Sequence, residues 1–502
     1  MEVSFSKEIE SLRLGDGQTF HGEGILAITK ALLQSGVSYV GGYQGAPVSH
    51  LLDVMVQAKP YMDELGVHVE ACSNEASAAA MLGASIHYPL RGAVTWKSIV
   101  GTNVAADALS NLASPGVTGG VLVVVGEDYG EGASVIQERT HAYALKSSMV
   151  LLDPRPDLER MVHMVEQGFR LSEASNMPAL MELRIRACHV RGSFTAKDNV
   201  KPALSRHNLI EEPASFDYNR LAHPPVTFRH EKLKGEERIP AARRYIVENG
   251  LNEHFDGAHQ DLGLIVQGGL YNTLIRALQQ FGLADAFGQA AIPMLVLNVT
   301  CPLVPQQLTD FCVGKRAVLM LEEGQPEYIE QELATLLRRS DIQTPLHGKD
   351  MLPNAGEYTA EVMAQGLLKG YPVAHTNTIP VNLGAGTNQT EIYFADWNDV
   401  VIGEQDNTAV GKASAPEAAR RGLGNYPALA REAGPRPSAR WCSRWTGLFG
   451  GPPARVRSRR YVTEGDFSTY YAGDPTQTIP SFTIGANTSP LAGKDGGSYF
   501  LY

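Results

Sequence analysis

The chain has few cysteines and no excess of basic charge. Its 502 residues include 5 Cys, and Asp and Glu outnumber Lys and Arg by 54 to 43, which gives a formal net charge of -11. No two cysteines are spaced as CxxC, and this argues against a zinc or iron–sulfur site built within the chain. The acidic balance disfavours nucleic acid or an anionic membrane surface as the main partner.

Long apolar runs are also missing. The sequence has no uninterrupted stretch of about 18 apolar residues, the length needed to cross a bilayer, and its N-terminus is charged and mixed rather than of signal-peptide type. The odd number and wide spacing of the cysteines are typical of a reducing compartment. We therefore expect no membrane contact and a cytoplasmic protein.

What the sequence does contain is an alternation of strand-like and helix-like segments. Between residues 20 and 190, strand patterns such as "VSYVGGYQG", "GAVTWK" and "GGVLVVVGED" alternate with helical patterns such as "DLERMVHMVEQGFRLSEAS". This alternation predicts a parallel sheet covered on both faces. A second α/β pattern, with "IPMLVLNVT" as one of its strands, follows a polar segment that we expect to drape over a domain surface as a connector.

The character of the chain changes near residue 373. The residues that follow are typical of turns and β-strand, and residues 411–460 carry 11 Lys/Arg against 2 Asp/Glu and are rich in Pro, Gly, Ala and Arg. Such a stretch has little from which to build a core, so we expect disorder or poor packing there. The predicted divisions are an α/β domain at 15–195, a connector at 196–255, a second α/β domain at 256–372 and an irregular, partly β or disordered tail at 373–502.

Loops at the carboxyl ends of the strands are the candidate sites, because ligands bind there in parallel sheets. The loop "GGYQGAPVSH" contains Gly42, Gly45 and Pro47, and its glycines allow a ligand to approach the backbone. It matches neither a Walker loop nor GxGxxG, and an ordinary strand-to-helix turn with Pro47 at the helix start is the alternative. Lys97, at the end of another strand, is expected either to pair with a phosphate or carboxylate or to be a solvated lysine.

Acidic and glycine-rich loops give two further candidates. Residues 127–141 hold several acids that could bind a metal, but acids in a Gly-rich loop are usually solvated, and we predict no metal site in this chain. In "VQGGLYNT", Gly268 and Gly269 either place an anion at a helix N-terminus or only allow tight packing between strand and helix.

Glu75 is a single carboxylate at the head of a run of small residues, "EASAAAMLGAS". In one interpretation Asn74 caps a helix and Glu75 favours its positive end. In the other, Glu75 is a buried carboxylate that hydrogen-bonds a ring nitrogen of a flat heteroaromatic ligand and moves protons, because the small side chains leave room for close approach. The residue pattern alone leaves both interpretations open.

A resemblance to a known family is carried by four segments: "YVGGYQGAPVSHLLDV", "SNEASAAAMLGAS", "RGAVTWKSIVGTNVAADALSNLASPGVTGGVLVVVGEDYG" and "SVIQERTHAYALKSSMVLLDP". They resemble the alpha subunit of indolepyruvate ferredoxin oxidoreductases, which are thiamine-diphosphate-dependent 2-oxoacid:ferredoxin oxidoreductases. The resemblance covers about residues 15–370. It implies that the first domain is of the thiamine-diphosphate pyrimidine-binding type and that the second is transketolase C-terminal-like.

The resemblance also implies a reaction and a set of site residues. The reaction is oxidative decarboxylation of an aryl-2-oxoacid such as indolepyruvate, with coenzyme A acylated and electrons passed to ferredoxin. The family glutamate that contacts the aminopyrimidine of thiamine diphosphate matches Glu75, which is therefore expected to be catalytic. The residues expected to wall the cofactor site are Gly42, Gly45, Pro47, Lys97 and Asn103.

The chain departs from the family pattern at two places. Gln44 and Ala46 replace a proline and a threonine of the family loop, so a hydroxyl that could contact substrate is missing. After residue 373, the family's diphosphate-binding domain with its Mg²⁺ motif and its cysteines for 4Fe–4S clusters are not found, and only Cys442 remains.

The segment "IPVNLGAGTNQTEIYFADWNDVVIGEQDNT" in the tail instead resembles part of a tailed-phage major capsid protein. We hypothesise that the tail comes from a frameshift, a fusion or an assembly error, and one continuous frame on resequencing, expressed at this length, would contradict this. A beta subunit or a second copy of the chain is expected as a partner, and it supplies the missing half of the site only if it carries the diphosphate-binding domain. The alternatives are a non-catalytic remnant, a non-oxidative thiamine-diphosphate decarboxylase or transferase, and a structural or phage-derived product dominated by the tail.

Overall fold

The computed structural model describes residues 5–130, 136–205, 207 and 217–367, together with short strands between residues 377 and 501. The described residues up to 367 belong to one compact unit, and most of the later strand residues belong to a second. Two larger, mainly parallel sheets contain the strands of the α/β pattern, and four further sheets have only two or three strands each.

The helices and strands follow one another in the alternating order that the sequence predicts. The helices are α1 Ser6–Leu12, α2 Gly24–Gln34, α3 Ser49–Gln57, α4 Lys59–Leu65, α5 Glu75–Met81, α6 Ala84–His87, α7 Val100–Ala113, α8 His141–Ser147, α9 Leu158–Ser175, α10 Ile185–His189, α11 Val226–Leu233, α12 Ile239–Glu248, α13 Tyr271–Gln280, α14 Pro305–Cys312, α15 Tyr328–Arg339 and α16 Ala360–Leu367. The strands of the first unit are β1 Thr19–Glu23, β2 Tyr39–Gly42, β3 His68–Ala71, β4 Gly92–Lys97, β5 Val121–Gly126, β6 Val150–Leu152, β7 Ala179–Leu183, β8 Arg191–Thr195, β9 Glu253–Phe255, β10 Leu262–Gln267, β11 Met294–Leu297, β12 Val299–Cys301, β13 Ala317–Leu321 and β14 Leu346–His347.

Seven strands form the first sheet, in the order β12-β6-β7-β5-β4-β2-β3. All neighbouring pairs are parallel except β12 with β6. Along β5, Leu122 and Val124 pack into the core on one face of the sheet, and Val123 and Val125 pack into the core on the other. Because successive strand residues point to opposite faces, both faces are buried. The predicted α/β architecture with a doubly covered parallel sheet is confirmed.

Local signals explain where the longest helix begins and ends. Before α9, the side chain of Asp157 accepts a hydrogen bond from the backbone N–H of Arg160 at 3.0 Å, as an N-cap does. After α9, Asn176 has a φ of 55° and stops the helix in the left-handed conformation. The chain then enters β7, next to β5 at the centre of the sheet.

The second sheet has the strand order β14-β13-β10-β11-β9, and only its edge strand β9 is antiparallel. The prediction that "IPMLVLNVT" forms one strand of this sheet is wrong: β11 belongs to the second sheet, but β12 joins the first. Asn298 between them is fully buried, and its amide accepts from the N–H of Arg155 at 2.8 Å and donates to the carbonyl of Leu251 at 3.0 Å. The Asn298 side chain thus satisfies backbone groups on both sides of the crossing between the sheets.

The segment predicted as a connector contains α11 and α12 and ends in β9. Ala242 and Ile246 of α12, with Leu251, are buried in the core on one face of the first sheet. Part of this segment therefore contributes to a core in addition to covering a surface. The predicted domain boundaries at 195, 255 and 372 stay predictions.

The tail contributes only short strands to the described structure. They are β15 Asn377–Asn382, β16 Gln389–Phe394, β17 Val401–Ile402, β18 Arg455–Val456, β19 Gln477–Thr478, β20 Thr483–Ile484 and β21 Phe500–Leu501. The predicted disorder of residues 411–460 lies, except for β18, outside the described residues. Among the helices that the structure describes, none is both long enough and apolar enough to cross a bilayer.

Candidate active site

The strands β2 and β4 mark a reversal in the topology of the first sheet. The chain leaves β2 for β3 at the sheet edge, and it leaves β4 for β5 on the other side. In open parallel sheets, such a reversal opens a ligand crevice at the carboxyl ends of the strands. The two loops that leave β2 and β4 meet there: a Cβ added to Gly45 would lie 2.3 Å from the backbone nitrogen of Lys97.

The loop from Gly42 to Pro47 packs directly on the ends of β4 and β5. A Cβ added to Gly42 would lie 2.6 Å from the carbonyl oxygen of Thr95, and a Cβ added to Gly126 would lie 2.4 Å from Cδ of Pro47. The glycines therefore allow backbone segments to approach each other. The additional role of Gly42, Gly45 and Pro47 toward a cofactor stays a prediction.

Glu75 is the first residue of α5 and follows β3, the edge strand next to β2. Asn74 caps the helix, since its side chain accepts from the N–H of Ser77 at 2.8 Å. Glu75 is nevertheless buried, with 6% of its surface exposed, and its carboxylate has no hydrogen-bond partner among the residues that the structure describes. Glu75 is therefore both a first-turn acid beside a helix cap and a largely buried side chain, and its contact with a ring nitrogen stays a prediction. A ligand with a hydrogen-bond donor would give this carboxylate a partner.

Lys97 has a carboxylate partner within the chain. Its Nζ lies 3.1 Å from Oδ2 of Asp128, and the two side chains are 18% and 6% exposed. The other oxygen of Asp128 accepts from the N–H of Ile185 at 2.8 Å. Lys97 is therefore not the solvated lysine of one interpretation, and an incoming anion would compete with Asp128 for it.

Asn103 lies on the exposed side of α7. Its side-chain oxygen accepts a hydrogen bond from the hydroxyl of Tyr143 on α8, and its backbone N–H donates to the carbonyl of Ile99 at 2.7 Å. The hydrogen bond with Tyr143 joins α7 to α8. Its expected place in the wall of a cofactor site stays a prediction.

Among the acids that follow β5, Glu127 and Asp128 are buried, so the prediction that such acids are solvated is wrong for these two, whereas Glu138 is exposed and Glu131 lies outside the described residues. Glu127 is 3% exposed and accepts from the hydroxyl of Ser98 at 3.1 Å and from the N–H of Thr140 at 2.9 Å. The hydroxyl of Tyr129 donates to its other oxygen. Within the described part of the chain, no group of three or more His, Cys, Asp or Glu side chains is arranged to hold a metal ion.

The backbone of the "VQGGLYNT" turn binds a carboxylate that belongs to the chain itself. The N–H of Gly269 donates to Oδ1 of Asp153 at 3.0 Å, and a Cβ added to Gly268 would lie 2.0 Å from the carbonyl oxygen of Asp153. The arrangement combines the two alternatives: the glycines allow tight packing, and the group that the turn binds is an anion. The turn is filled by Asp153, at the end of β6.

A buried ion-pair network between the two sheets was not predicted from the sequence. Arg184, after β7, lies with Nη1 2.7 Å from Asp153 and with Nε 2.5 Å from Glu323, after β13. The side chains of these three residues are 4%, 1% and 0% exposed. Burial opposes ionisation of Glu323, but the charges of Arg184 and Arg186 outweigh it and lower the pKa of this carboxyl. The network ties the carboxyl ends of the two sheets to each other.

Glu182 is the acid of this region whose pKa is raised. It lies on β7, 3.7 Å from Nη2 of Arg184, and it is 3% exposed. Burial, followed by the charges of Glu127 and Asp153, raises its pKa well above the ordinary value. Charged letters at the ends of apolar strands, in "ALMELRIR" and "AVLMLEEG", were the available sequence signal for these residues.

Comparison with known proteins gives one recurrent name. The chain is 26% identical over 385 residues to the indolepyruvate oxidoreductase subunit IorA of Methanothermobacter thermautotrophicus, which covers 74% of this chain and 59% of that protein. It is also 26% identical over 352 residues to the IorA subunit of Thermococcus kodakarensis, covering 68% of this chain and 51% of that protein. The chain thus spans between half and three-fifths of the length of these relatives. The resemblance named from the sequence is confirmed, and these relatives are oxidoreductase subunits.

Two further matches were found, one to a short stretch of the sequence and one to the fold. Over 48 residues, 10% of this chain, it is 65% identical to the major capsid protein of Klebsiella oxytoca phage phiKO2. In structure it is similar to a 2-oxoglutarate:ferredoxin oxidoreductase from Magnetococcus marinus, with a TM-score of 0.52 and 14% identity, over 69% of this chain and 64% of that chain. That likeness shows the fold. No family model matches the chain.

Proposed function

We propose that this chain forms the cofactor-activating part of a 2-oxoacid oxidoreductase. In this proposal it binds the aminopyrimidine ring of thiamine diphosphate and takes part in oxidative decarboxylation of an aryl-2-oxoacid such as indolepyruvate, with coenzyme A as acyl acceptor and ferredoxin as electron acceptor. The observation that carries the proposal is the buried carboxylate of Glu75, which has no hydrogen-bond partner among the described residues and lies at the ligand edge of the sheet. The confirmed similarity to indolepyruvate oxidoreductase subunits supports it.

The residues around Glu75 fit a flat ring. Its helix continues with Ala and Ser, so no long side chain of the helix obstructs a planar ligand beside the carboxylate. A Cβ at Gly41 would lie 2.7 Å from Sδ of Met81 and 3.5 Å from Sγ of Cys72, so β2 packs closely against the end of the same helix. This packing holds the helix that begins with Glu75 against the strand end.

When bound, thiamine diphosphate supplies the carbon nucleophile that attacks the 2-oxoacid carbonyl and takes up the electron pair that decarboxylation leaves. The part of Glu75 would be to hold and move a proton at a ring nitrogen of the bound cofactor. Gly45 and Pro47 hold the opposite loop against the ends of β4 and β5, where Lys97 pairs with Asp128. We propose that a partner subunit that carries the diphosphate-binding domain and the cluster cysteines supplies the Mg²⁺, diphosphate and 4Fe–4S sites.

The four described cysteines are free thiols: Cys72, Cys188, Cys301 and Cys312. Free thiols are typical of proteins in reducing compartments, and this supports our proposal of a cytoplasmic enzyme.

Calorimetric titration of the purified chain with thiamine diphosphate and Mg²⁺ tests the proposal. Glu75→Ala is expected to weaken binding by about 10- to 100-fold, because it removes a hydrogen bond to a charged group. Glu159→Ala is the matched control, since Glu159 is also an acid in the first turn of a helix but is exposed. Equal binding by Glu75→Ala and the unchanged chain would contradict the role of Glu75. No binding by the unchanged chain, alone or with a beta subunit added, would contradict the function.

A further inference from the structure

The Glu75 side chain packs against a glycine in the first turn of α7. A Cβ added to Gly101 would lie 2.8 Å from Cγ of Glu75 and 2.6 Å from Cδ1 of Trp96. Real Cβ atoms do not approach other heavy atoms so closely, so only glycine allows this contact. The first turn of α7 therefore rests on both the stem of Glu75 and the edge of the indole ring.

The indole ring is itself fixed by α7. Trp96 is fully buried, and its Nε1–H donates to the hydroxyl of Thr102 at 3.1 Å. Thr102 is also fully buried and directly follows Gly101. This hydrogen bond fixes the rotation of the ring, because it is the polar contact of a side chain that otherwise makes only apolar ones.

The turn that delivers α7 to this position has a strained backbone. Ile99 has a φ of 31° and a ψ of −65° and is 4% exposed, and a β-branched residue rarely adopts such angles. The preceding residue, Ser98, is held to β5 by its N–H, which donates to Gly126 at 2.7 Å, and by its hydroxyl, which donates to Glu127. Contacts to a neighbouring strand thus maintain an unfavourable conformation that sets the place of Gly101.

Packing rather than hydrogen bonding orients the Glu75 carboxylate. Among the described residues no donor holds its oxygens, so its direction depends on what surrounds its Cβ and Cγ atoms. We propose that Gly101, Trp96 and Thr102 form a positioning unit that fixes Glu75 for its contact with the aminopyrimidine ring. This inference rests on the proposed function, and it assigns these three residues a role exerted through Glu75.

Gly101→Ala is the direct test, measured by titration with thiamine diphosphate and Mg²⁺ and by near-ultraviolet circular dichroism of the bound cofactor. We expect an affinity loss of about 10-fold or more and a changed dichroism band, because a shift of about 1 Å in a positioned group has effects of this size. Gly168→Ala is the matched control. Gly168 is also a tightly packed helix glycine, where a Cβ would lie 2.9 Å from Leu152, but it packs in the core on the opposite face of the sheet. That variant is expected to lose thermal stability and to keep both the affinity and the dichroism band.

Thr102→Val and Thr102→Ser form a second pair in case Gly101→Ala does not fold. Valine removes the acceptor of the indole N–H at nearly constant volume, whereas serine keeps it. We expect Thr102→Val to weaken binding and Thr102→Ser to restore it. A role in stability alone would lower the melting temperature without moving the dichroism band.

The outcomes separate the inference from the function on which it rests. If the unchanged chain binds, Glu75→Ala does not, and Gly101→Ala or Thr102→Val binds within about twofold of the unchanged chain, the positioning role is overturned and the function stands. If the unchanged chain does not bind, with or without a beta subunit, both are overturned. If both variants lose affinity and the dichroism band while Gly168→Ala and Thr102→Ser keep them, the positioning role is established.

Discussion

Removing the cation at the centre of the buried network should destabilise the chain strongly. Arg184→Met leaves Asp153 and Glu323 without their shared partner, and the side chains of both acids are at most 1% exposed. Breaking a buried ion pair by removing one member costs about 3–5 kcal/mol. Asp153 loses its partner Arg184, but Glu323 keeps Arg186, whose Nη2 lies 3.2 Å from its carboxylate, so we expect a cost at the lower end of this range, about 3 kcal/mol. The unit spans residues 1–376 and 394–400, and unfolding entropy is about 2.1 cal/mol/K per residue, so about 3 kcal/mol corresponds to a fall in melting temperature of roughly 4 °C.

The destabilisation by Arg184→Met should depend on pH in a defined direction. The pKa of Glu323 is lowered below its ordinary value of 4.5 in the folded chain, so its contribution to stability is present above pH 4.5 and is lost as the pH falls through the folded value. Without Arg184, Glu323 takes up a proton more readily. The difference in unfolding free energy between the two chains is therefore expected to be largest near pH 7 and to shrink below about pH 4.5.

Urea unfolding followed by circular dichroism, at several pH values between 4 and 8, measures this difference. Arg191→Met is the matched control: Arg191 lies 3.0 Å from Glu23, but its side chain is 81% exposed, and such surface pairs contribute only about 0–1 kcal/mol. A loss for Arg184→Met no greater than that for Arg191→Met, or one that is the same at every pH, would refute the argument that this network is buried and charged.

Two further predictions concern Glu182 and the glycine loop. Burial raises the pKa of Glu182 above its ordinary value of 4.5, so the folded chain loses stability as the pH rises above that value. The unfolding free energy of Glu182→Gln, relative to the unchanged chain, should therefore be higher at pH 8 than at pH 5, by about 1.4 kcal/mol for each unit of the pKa shift within that window. A difference that is equal at both pH values in urea unfolding would contradict this. Gly45→Ala should lower the free energy of unfolding by about 1–3 kcal/mol and weaken thiamine diphosphate binding, because its Cβ would lie 2.3 Å from a backbone atom of Lys97. Gly235→Ala should be nearly neutral, because nothing lies within 4 Å of its Cβ. Equal stability of the two variants in thermal unfolding would contradict this prediction.

The sequence predicted the features that depend on local periodicity and missed those that depend on which side chains meet. The alternation of strand-like and helix-like segments predicted the parallel sheet. The expectation that sites lie at the carboxyl ends of parallel strands predicted that Gly45 and Lys97 are neighbours. The role of Asn298 at the crossing between sheets could not be predicted, because "MLVLNVT" has the apolar pattern of one buried strand. The burial of Glu127 was missed for a similar reason: its partners Ser98 and Thr140 are distant in sequence, and a loop acid is solvated unless such partners exist.

The charges along the carboxyl edge of the first sheet indicate which part of that edge is open to a ligand. At β6 and β5 the buried acids face cations of the chain: Asp153 meets Arg184, and Asp128 meets Lys97. The Lys97–Asp128 pair lies at the border between β5 and β4. Beyond it, at β2 and β3, lie the loop around Gly45 and then Glu75, whose carboxylate has no hydrogen-bond partner among the described residues. A ligand at this end gains a hydrogen-bond acceptor that no cation of the described chain already occupies, so the Glu75 end is where cofactor binding should be sought.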